Sequence, residues 1–421
     1  MSSLWYSLWL LFVFFLRTRA WEALPVPFPP EIDMPDSDGR VGHLKPFGQQ
    51  RAPENPVQEY TTVMRPPEFW ERHVRDRIPA VFRGAVANSP AHRLWTDEYL
   101  EKNYGDQYDV LYELRDEDRS KRARRMNMRR FLAEYRQHDR PIYAVTILPE
   151  AMRKELPALP CLLCGTFRRS LQEANFWLGY GGTRSVIHFD ADHNIHCLVA
   201  GRKDFMMIHP RFADKLHLAP REPNQGSGYS TINPDVVNLD KYPSVSDVEW
   251  EWATLAPGDC IFIPARYLHQ VRSYGRSISS TVLFFPYDEF NETGCENETF
   301  GYTDLSQVEL VWTYKGGDAV IDLGYLNPEL IRINLLSLLN EDGVVTWTHF
   351  FHMYAQSQDG QFEVVKAQFD RLDIHNRGHL LKEDIENLPL EILKTVAREM
   401  DSKPYDEDED ENEDKDEHDE L

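Results

Sequence analysis

The feature that most constrains this chain is a pair of metal-binding side chains spaced for a β-strand. Within residues 175–209 lies the run Thr183-Arg-Ser-Val-Ile-His-Phe-Asp190. Successive side chains of an extended backbone alternate faces, so His188 and Asp190 point the same way and can reach one divalent ion. A second strand candidate, Cys260-Ile-Phe-Ile-Pro264, follows the turn Pro257-Gly258-Asp259 and leads to His269, a distant second imidazole. Two imidazoles and one carboxylate on one side of an ion leave the opposite positions open. Such a donor set suits catalytic iron better than a closed structural zinc site. His193 and His196 are rival imidazoles, but at a spacing of three they face opposite sides of a strand and fit joint ligation poorly.

An isolated His-x-Asp also occurs in ordinary strands; what gives this one weight is its company. Asn194 follows Asp190 by four residues and Lys203 by thirteen, and Pro257-Gly258-Asp259 precedes His269. In this order and spacing, roughly residues 60–286 resemble the JmjC oxygenases that use Fe(II) and 2-oxoglutarate, and most of all their protein-hydroxylase branch. The resemblance implies Fe(II) on His188, Asp190 and His269, with 2-oxoglutarate as cosubstrate. A dianionic cosubstrate needs a cation at its distal end, which Lys203 can supply through a charge-assisted hydrogen bond. Ser185 resembles a family hydroxyl that bonds the same distal carboxylate, and Asn194 an amide near the metal. Tyr143 corresponds to a tyrosine lining the cosubstrate pocket, or else is a core tyrosine. Thr281 lies where relatives place Asn or Ser, and Trp177 matches a tryptophan at the mouth of the site or is a core aromatic.

Strands rich in Val, Ile and aromatic residues recur between turn signals without the regular helices a parallel sheet requires. The expected catalytic domain, residues 59–290, is therefore mainly β, a cupin-like jelly roll (double-stranded β-helix) with flanking helices.

The ends of the chain speak to compartment. The apolar run Leu4–Leu16 ending at Thr18-Arg19-Ala20 reads as a secretory signal over residues 1–20, leaving no stable membrane span once cleaved. His418, Asp419, Glu420 and Leu421 form an address read by the retention receptor of the endoplasmic reticulum. Asn291 and Asn297 each begin an N-glycosylation sequon. Together these place the chain in the lumen. Among the five cysteines, Cys161 and Cys164 read as a local bridge or plain thiols, and Cys197 and Cys260 as buried strand residues.

The formal charge of −23 argues against nonspecific nucleic-acid binding, although residues 401–421, with 13 Asp or Glu against two Lys, carry about half of it. That acidic tail is expected to be disordered. Residues 119–125 form a basic island that reads as a solvated loop. Residues 21–58, with eight prolines, read as an extended linker, and 291–326 as a glycosylated connecting segment.

Residues 327–400 read as an α-helical, EF-hand-like module, with Gly343 and Gly378 spaced 35 apart as paired loops require. Calcium is disfavoured. The second loop offers Asp373, His375, Arg377 and Asp384, so a guanidinium stands at a ligand position, and the first puts Leu338 and His349 at its ends. Two functions compete: a lumenal 2-oxoglutarate-dependent hydroxylase acting on secretory polypeptides, and a catalytically silent JmjC scaffold that binds clients. The compartment disfavours histone demethylation.

Overall fold

The computed structural model describes residues 27–32, 41–114, 124–137, 142–220, 227–296, 301–311, 313–316, 319–322, 328–354 and 362–401. The apolar N-terminal run, Asn297, most of the basic island and the acidic tail with its last four residues lie outside them. The chain divides into two compact units, Met1–Glu309 and Leu310–Leu421.

The first unit is built on a 12-stranded sheet: β1 (Glu59–Tyr60), β2 (Ala80–Phe82), β3 (Asp109–Leu114), β4 (Arg124–Asn127), β5 (Ile142–Ile147), β6 (Leu171–Tyr180), β7 (His188–Phe189), β8 (His193–Ile208), β9 (Gly228–Tyr229), β10 (Glu251–Leu255), β11 (Cys260–Ile263) and β12 (Leu268–Phe284). All pairings are antiparallel except β1 with β2. Two long strands give the sheet its double-layered form. The first half of β8 pairs with β11 and the second half with β10. Likewise β12 pairs with β7 at His269 and with β6 only from Arg276 onward.

Both strands turn the corner at one place, where their register shifts between Tyr274 and Ser279. Gly201 and Gly275 sit there with φ of 85° and 64°. A Cβ on Gly201 would lie 2.6 Å from the Arg276 carbonyl oxygen, so the close approach of the two backbones at the corner demands glycine. Bulge and glycine together fold one sheet into two facing layers, the jelly roll expected from the strand pattern.

Alternation along β8 then fills both sides. Phe205 and Met207 join Leu198, Ala253, Leu255, Ile261 and Ile263 in the interior. Met206 and Ile208 join Ile187, Phe189, Trp250 and Leu268 on the outer side. Phe47, wholly buried, completes that outer cluster. Much of the proline-rich segment is accordingly no linker. The Phe47 amide donates to the Pro234 carbonyl and the Val57 amide to that of Trp252, and burying Phe47 contributes about 2 kcal/mol. Proline removes donors, but the remaining amides are enough to fasten an extended segment along a surface that offers carbonyls.

Residues 291–296 and 301–309 also belong to the first unit rather than to a connecting segment. Cys295 is joined to Cys164, and Leu305 is buried. Cys197 and Cys260, directly opposite on β8 and β11, form a second disulfide, leaving Cys161 as a buried free thiol. The pairing differs from the sequence reading because it depends on strand register, not on spacing along the chain.

The second unit holds helices Pro328–Ser337, Trp347–Tyr354, Phe362–Leu372, Lys382–Glu386 and Leu390–Asp401. Between them Val344–Thr346 pairs with His379–Leu381, tying two helix-flanked loops together. Phe350, Phe369, Leu372, Val345 and Leu380 form its core. Among the described residues of the chain no helix is long and apolar enough to cross a membrane.

Candidate metal centre and oxo-acid pocket

Ile187 and Phe189 anchor β7 in the outer cluster, which turns His188 and Asp190 to the other face. His269 on β12 lies directly opposite His188. One potential donor atom from each of His188, Asp190 and His269 falls within 4.8 Å of the others, and His269 Nε2 is 3.8 Å from Asp190 Oδ2. His269 is buried, while His188 and Asp190 are half-buried. The donors thus sit at the rim of the interior, reachable from outside.

Hydrogen bonds set the protonation of both imidazoles. His188 Nδ1 lies 2.9 Å from the Val186 carbonyl oxygen and His269 Nδ1 lies 3.0 Å from that of Tyr267. A carbonyl only accepts, so each Nδ1 carries the proton and each Nε2 keeps its lone pair for a metal. Asn194 Nδ2 donates to Asp190 Oδ2 at 2.6 Å. The expected amide near the metal therefore acts on the carboxylate ligand, fixing one oxygen. A two-imidazole, one-carboxylate set with these tautomers fits Fe(II).

Deeper in the barrel, Lys203 is 6% exposed, with Nζ 5.6 Å from the centre of the Trp177 ring. No carboxylate pairs with it among the described residues, and burial pushes its pKa down to about 7. Removing an unpaired ammonium from water costs several kcal/mol, which an anionic ligand would recover. Thr183 Oγ1, Asn194 Oδ1 and His196 Nε2 are buried and without hydrogen-bond partners among the described residues, and His196 lies against the same Trp177 ring as Lys203. A buried cation without a carboxylate partner among the described residues suits the dicarboxylate cosubstrate.

The other expected pocket residues take more specific places. Trp177 lies under the lysine rather than only at the mouth, and its Nε1 donates to Thr281 Oγ1 at 3.0 Å. Thr281 Oγ1 is in turn 2.8 Å from His196 Nδ1. Ser185 Oγ accepts the Val271 amide at 2.9 Å, clasping the loop before β7 to β12, and its own proton remains to be donated. The Tyr143 hydroxyl is given to Glu113 on the neighbouring strand at 3.0 Å, so here tyrosine serves the sheet. His193 is structural: its Nδ1 accepts the Ala265 amide, and burial with nearby Arg77 lowers its pKa to about 3.

Asp259 of the Pro-Gly-Asp turn is likewise architectural, accepting the Gly84 and Ala256 amides and the Arg83 guanidinium. Asn291 is exposed. In the second unit, Arg377 donates to Asp384 at 2.8 Å, and both oxygens of Asp373 accept backbone amides, those of Arg377 and Gly378. The residue that sequence reasoning missed is His196, set aside as a rival ligand although it lies against the same Trp177 ring as Lys203. Nothing in local spacing distinguishes it, because its partner Thr281 is 85 residues away.

The model of the cupin-like domain matches residues 66–292. Jumonji C domain-containing protein 5 of Drosophila melanogaster is 34% identical over 103 residues, 24% of this chain and 25% of that protein. Lysine-specific demethylase 8 of Xenopus tropicalis is 24% identical over 220 residues, 50% of this chain and 49% of that protein. The tRNA wybutosine-synthesizing protein 5 of Mus musculus is 28% identical over 160 residues, 36% and 47% respectively. The chain thus spans between about a quarter and half the length of these relatives. Because the domain match covers more than half of the residues, the protein belongs to the cupin-like domain family, alongside these JmjC relatives.

Proposed function

We propose that the protein is an Fe(II)- and 2-oxoglutarate-dependent hydroxylase of protein side chains that works in the endoplasmic reticulum lumen. The observation that carries this is the convergence of His188, Asp190 and His269, with both histidine tautomers set for ligation, in a barrel that also buries an unpaired lysine. Once bound, Fe(II) supplies oxidative decarboxylation of the oxo acid coupled to oxygen insertion into a C–H bond. The protein's own residues hold and orient. His188 and His269 present Nε2, Asp190 is steadied by Asn194, and Lys203 receives the distal carboxylate. The Trp177 ring under the ammonium keeps water from it, which strengthens the ion pair.

Two relatives bear names for demethylation and for tRNA modification, activities that belong to those proteins. The lumenal reading rests on the terminal motifs, and two disulfides, Cys164–Cys295 and Cys197–Cys260, accord with an oxidising compartment. There the available substrates are secretory polypeptides rather than chromatin. The second unit is read as an EF-hand-like packing module whose second loop carries its own cation, Arg377.

The test is twofold. Purified full-length protein with Fe(II) should release succinate from 2-oxoglutarate in the presence of lumenal proteins, and His188→Ala should abolish this with folding preserved. Peptide-resolved mass spectrometry of secretory proteins from cells with and without the protein should reveal residues gaining one oxygen. Client binding with no turnover by the unsubstituted protein would instead establish the scaffold.

A further inference from the structure

We propose that His196 is a second donor to the distal carboxylate of the oxo acid, sharing it with Lys203; this rests on the function proposed above. Trp177 Nε1 can only donate, so Thr281 Oγ1 accepts from it. Among the described residues the one polar atom left to take the Thr281 hydroxyl proton is His196 Nδ1, 2.8 Å away. That assigns the lone pair to Nδ1 and, in a neutral imidazole, the proton to Nε2. Neutrality follows from the surroundings: burial, with the Lys203 ammonium nearby, keeps the pKa of His196 well below its ordinary value.

The relay from Trp177 through Thr281 to His196 thus ends in an N–H donor with no acceptor. His196 Nε2 is buried and unpartnered. Its ring packs edge-on to Phe205, at 5.5 Å between centroids, and at 6.3 Å from Trp177, the aromatic that underlies Lys203. A buried donor left unmet is costly, and the Lys203 ammonium over the same Trp177 ring also lacks a counter-charge among the described residues. Two buried donors, neither with an acceptor in hydrogen-bond range among the described residues, suit an anion, and the oxo acid's far carboxylate has an oxygen for each.

The discriminating measurement is calorimetric binding to Mn(II)-loaded full-length protein. It compares 2-oxoglutarate with 2-oxopentanoate, which has the same chain length but no distal carboxylate. His196→Phe is expected to weaken 2-oxoglutarate about tenfold, as for one hydrogen bond to a charged group. It should leave 2-oxopentanoate within about twofold, and His196→Gln, which keeps a donor near the Nε2 position, should recover most of the loss. Equal weakening of both acids would make His196 merely structural and overturn the proposal, as would unchanged 2-oxoglutarate affinity. Should the phenylalanine variant fail to fold, nitrogen chemical shifts of His196 in the unsubstituted protein decide: protonation at Nε2 supports the relay and protonation at Nδ1 refutes it. Wild-type protein that binds neither acid would bring down the oxygenase reading and this inference with it, whereas 2-oxoglutarate binding indifferent to His196 would bring down the inference alone.

Discussion

Asn194 reaches across one turn of chain to donate its amide to Asp190 Oδ2 at 2.6 Å, and so steadies the only acidic donor of the metal centre. The bond couples two strands: Asp190 follows β7, while Asn194 begins the half of β8 that pairs with β11. The bond limits the rotation of a half-buried carboxylate at the rim. Partners of this kind are worth about 10–100-fold in metal affinity. Asn194→Ala should therefore weaken Mn(II) binding by about that factor, measured by calorimetry on the folded variant. Unaltered affinity would show that Asp190 needs no support.

Lys203 gives the protein a pH signature. Burial lowers its native pKa from 10.5 to about 7, whereas in the unfolded chain it stays charged up to its ordinary value. Between those limits the unfolded state binds more protons than the native one, so this residue makes stability rise as pH increases from about 7 toward 10.5. A bound dicarboxylate would hold the ammonium charged in the native state and remove that rise. Urea midpoints at pH 7.5 and pH 9.5 should accordingly differ in the free protein, converge when 2-oxoglutarate saturates it, and converge in Lys203→Met with or without ligand. A slope that survives in Lys203→Met would assign the effect to another group.

The Cys197–Cys260 disulfide closes a loop with a sequence separation of 63 and clamps β8 to β11. Its main effect is to restrict the unfolded chain, worth about 2–4 kcal/mol. Replacing both cysteines by alanine should lower unfolding free energy by about that amount in chemical denaturation, with the Cys164–Cys295 bond left intact. Equal stability of the two proteins would place the bond outside the stability of the barrel.

How much of this was legible in the sequence depends on whether a relationship is local. His188 and Asp190 could be placed on one face because strand alternation is a property of three consecutive residues. His269 and Lys203 could be joined to them only through order and spacing that resemble a family. What could not be read were the partners set by register across the sheet. Asn194 was expected near the metal, but not its bond to Asp190; Thr281 meets His196 across the β8–β12 ladder; Cys197 meets Cys260 across β8 and β11. The corner near Gly201 and Gly275 decides those registers, and its bulges leave no periodic trace along the chain. The proline-rich segment misled for a related reason, since composition reports flexibility while Phe47 reports docking.

In the second unit, the Arg377 guanidinium donates to Asp384 Oδ2 at 2.8 Å, and His375 Nε2 lies 3.4 Å from the other oxygen. Asp373, at the start of the same loop, uses both oxygens on the amides of Arg377 and Gly378. The carboxylates that would surround calcium are thus already engaged, one by a side-chain cation and one by the backbone. Arg377→Asp removes that cation and adds an oxygen donor where the loop geometry calls for one. The variant without metal should lose up to about 1 kcal/mol of stability, the worth of an exposed ion pair, and regain it on adding calcium. The unsubstituted protein should show no calcium-dependent shift in its melting temperature. A shift in the unsubstituted protein as large as in the variant would mean that Arg377 swings aside to admit the ion, and the loop would then be a calcium site in its own right.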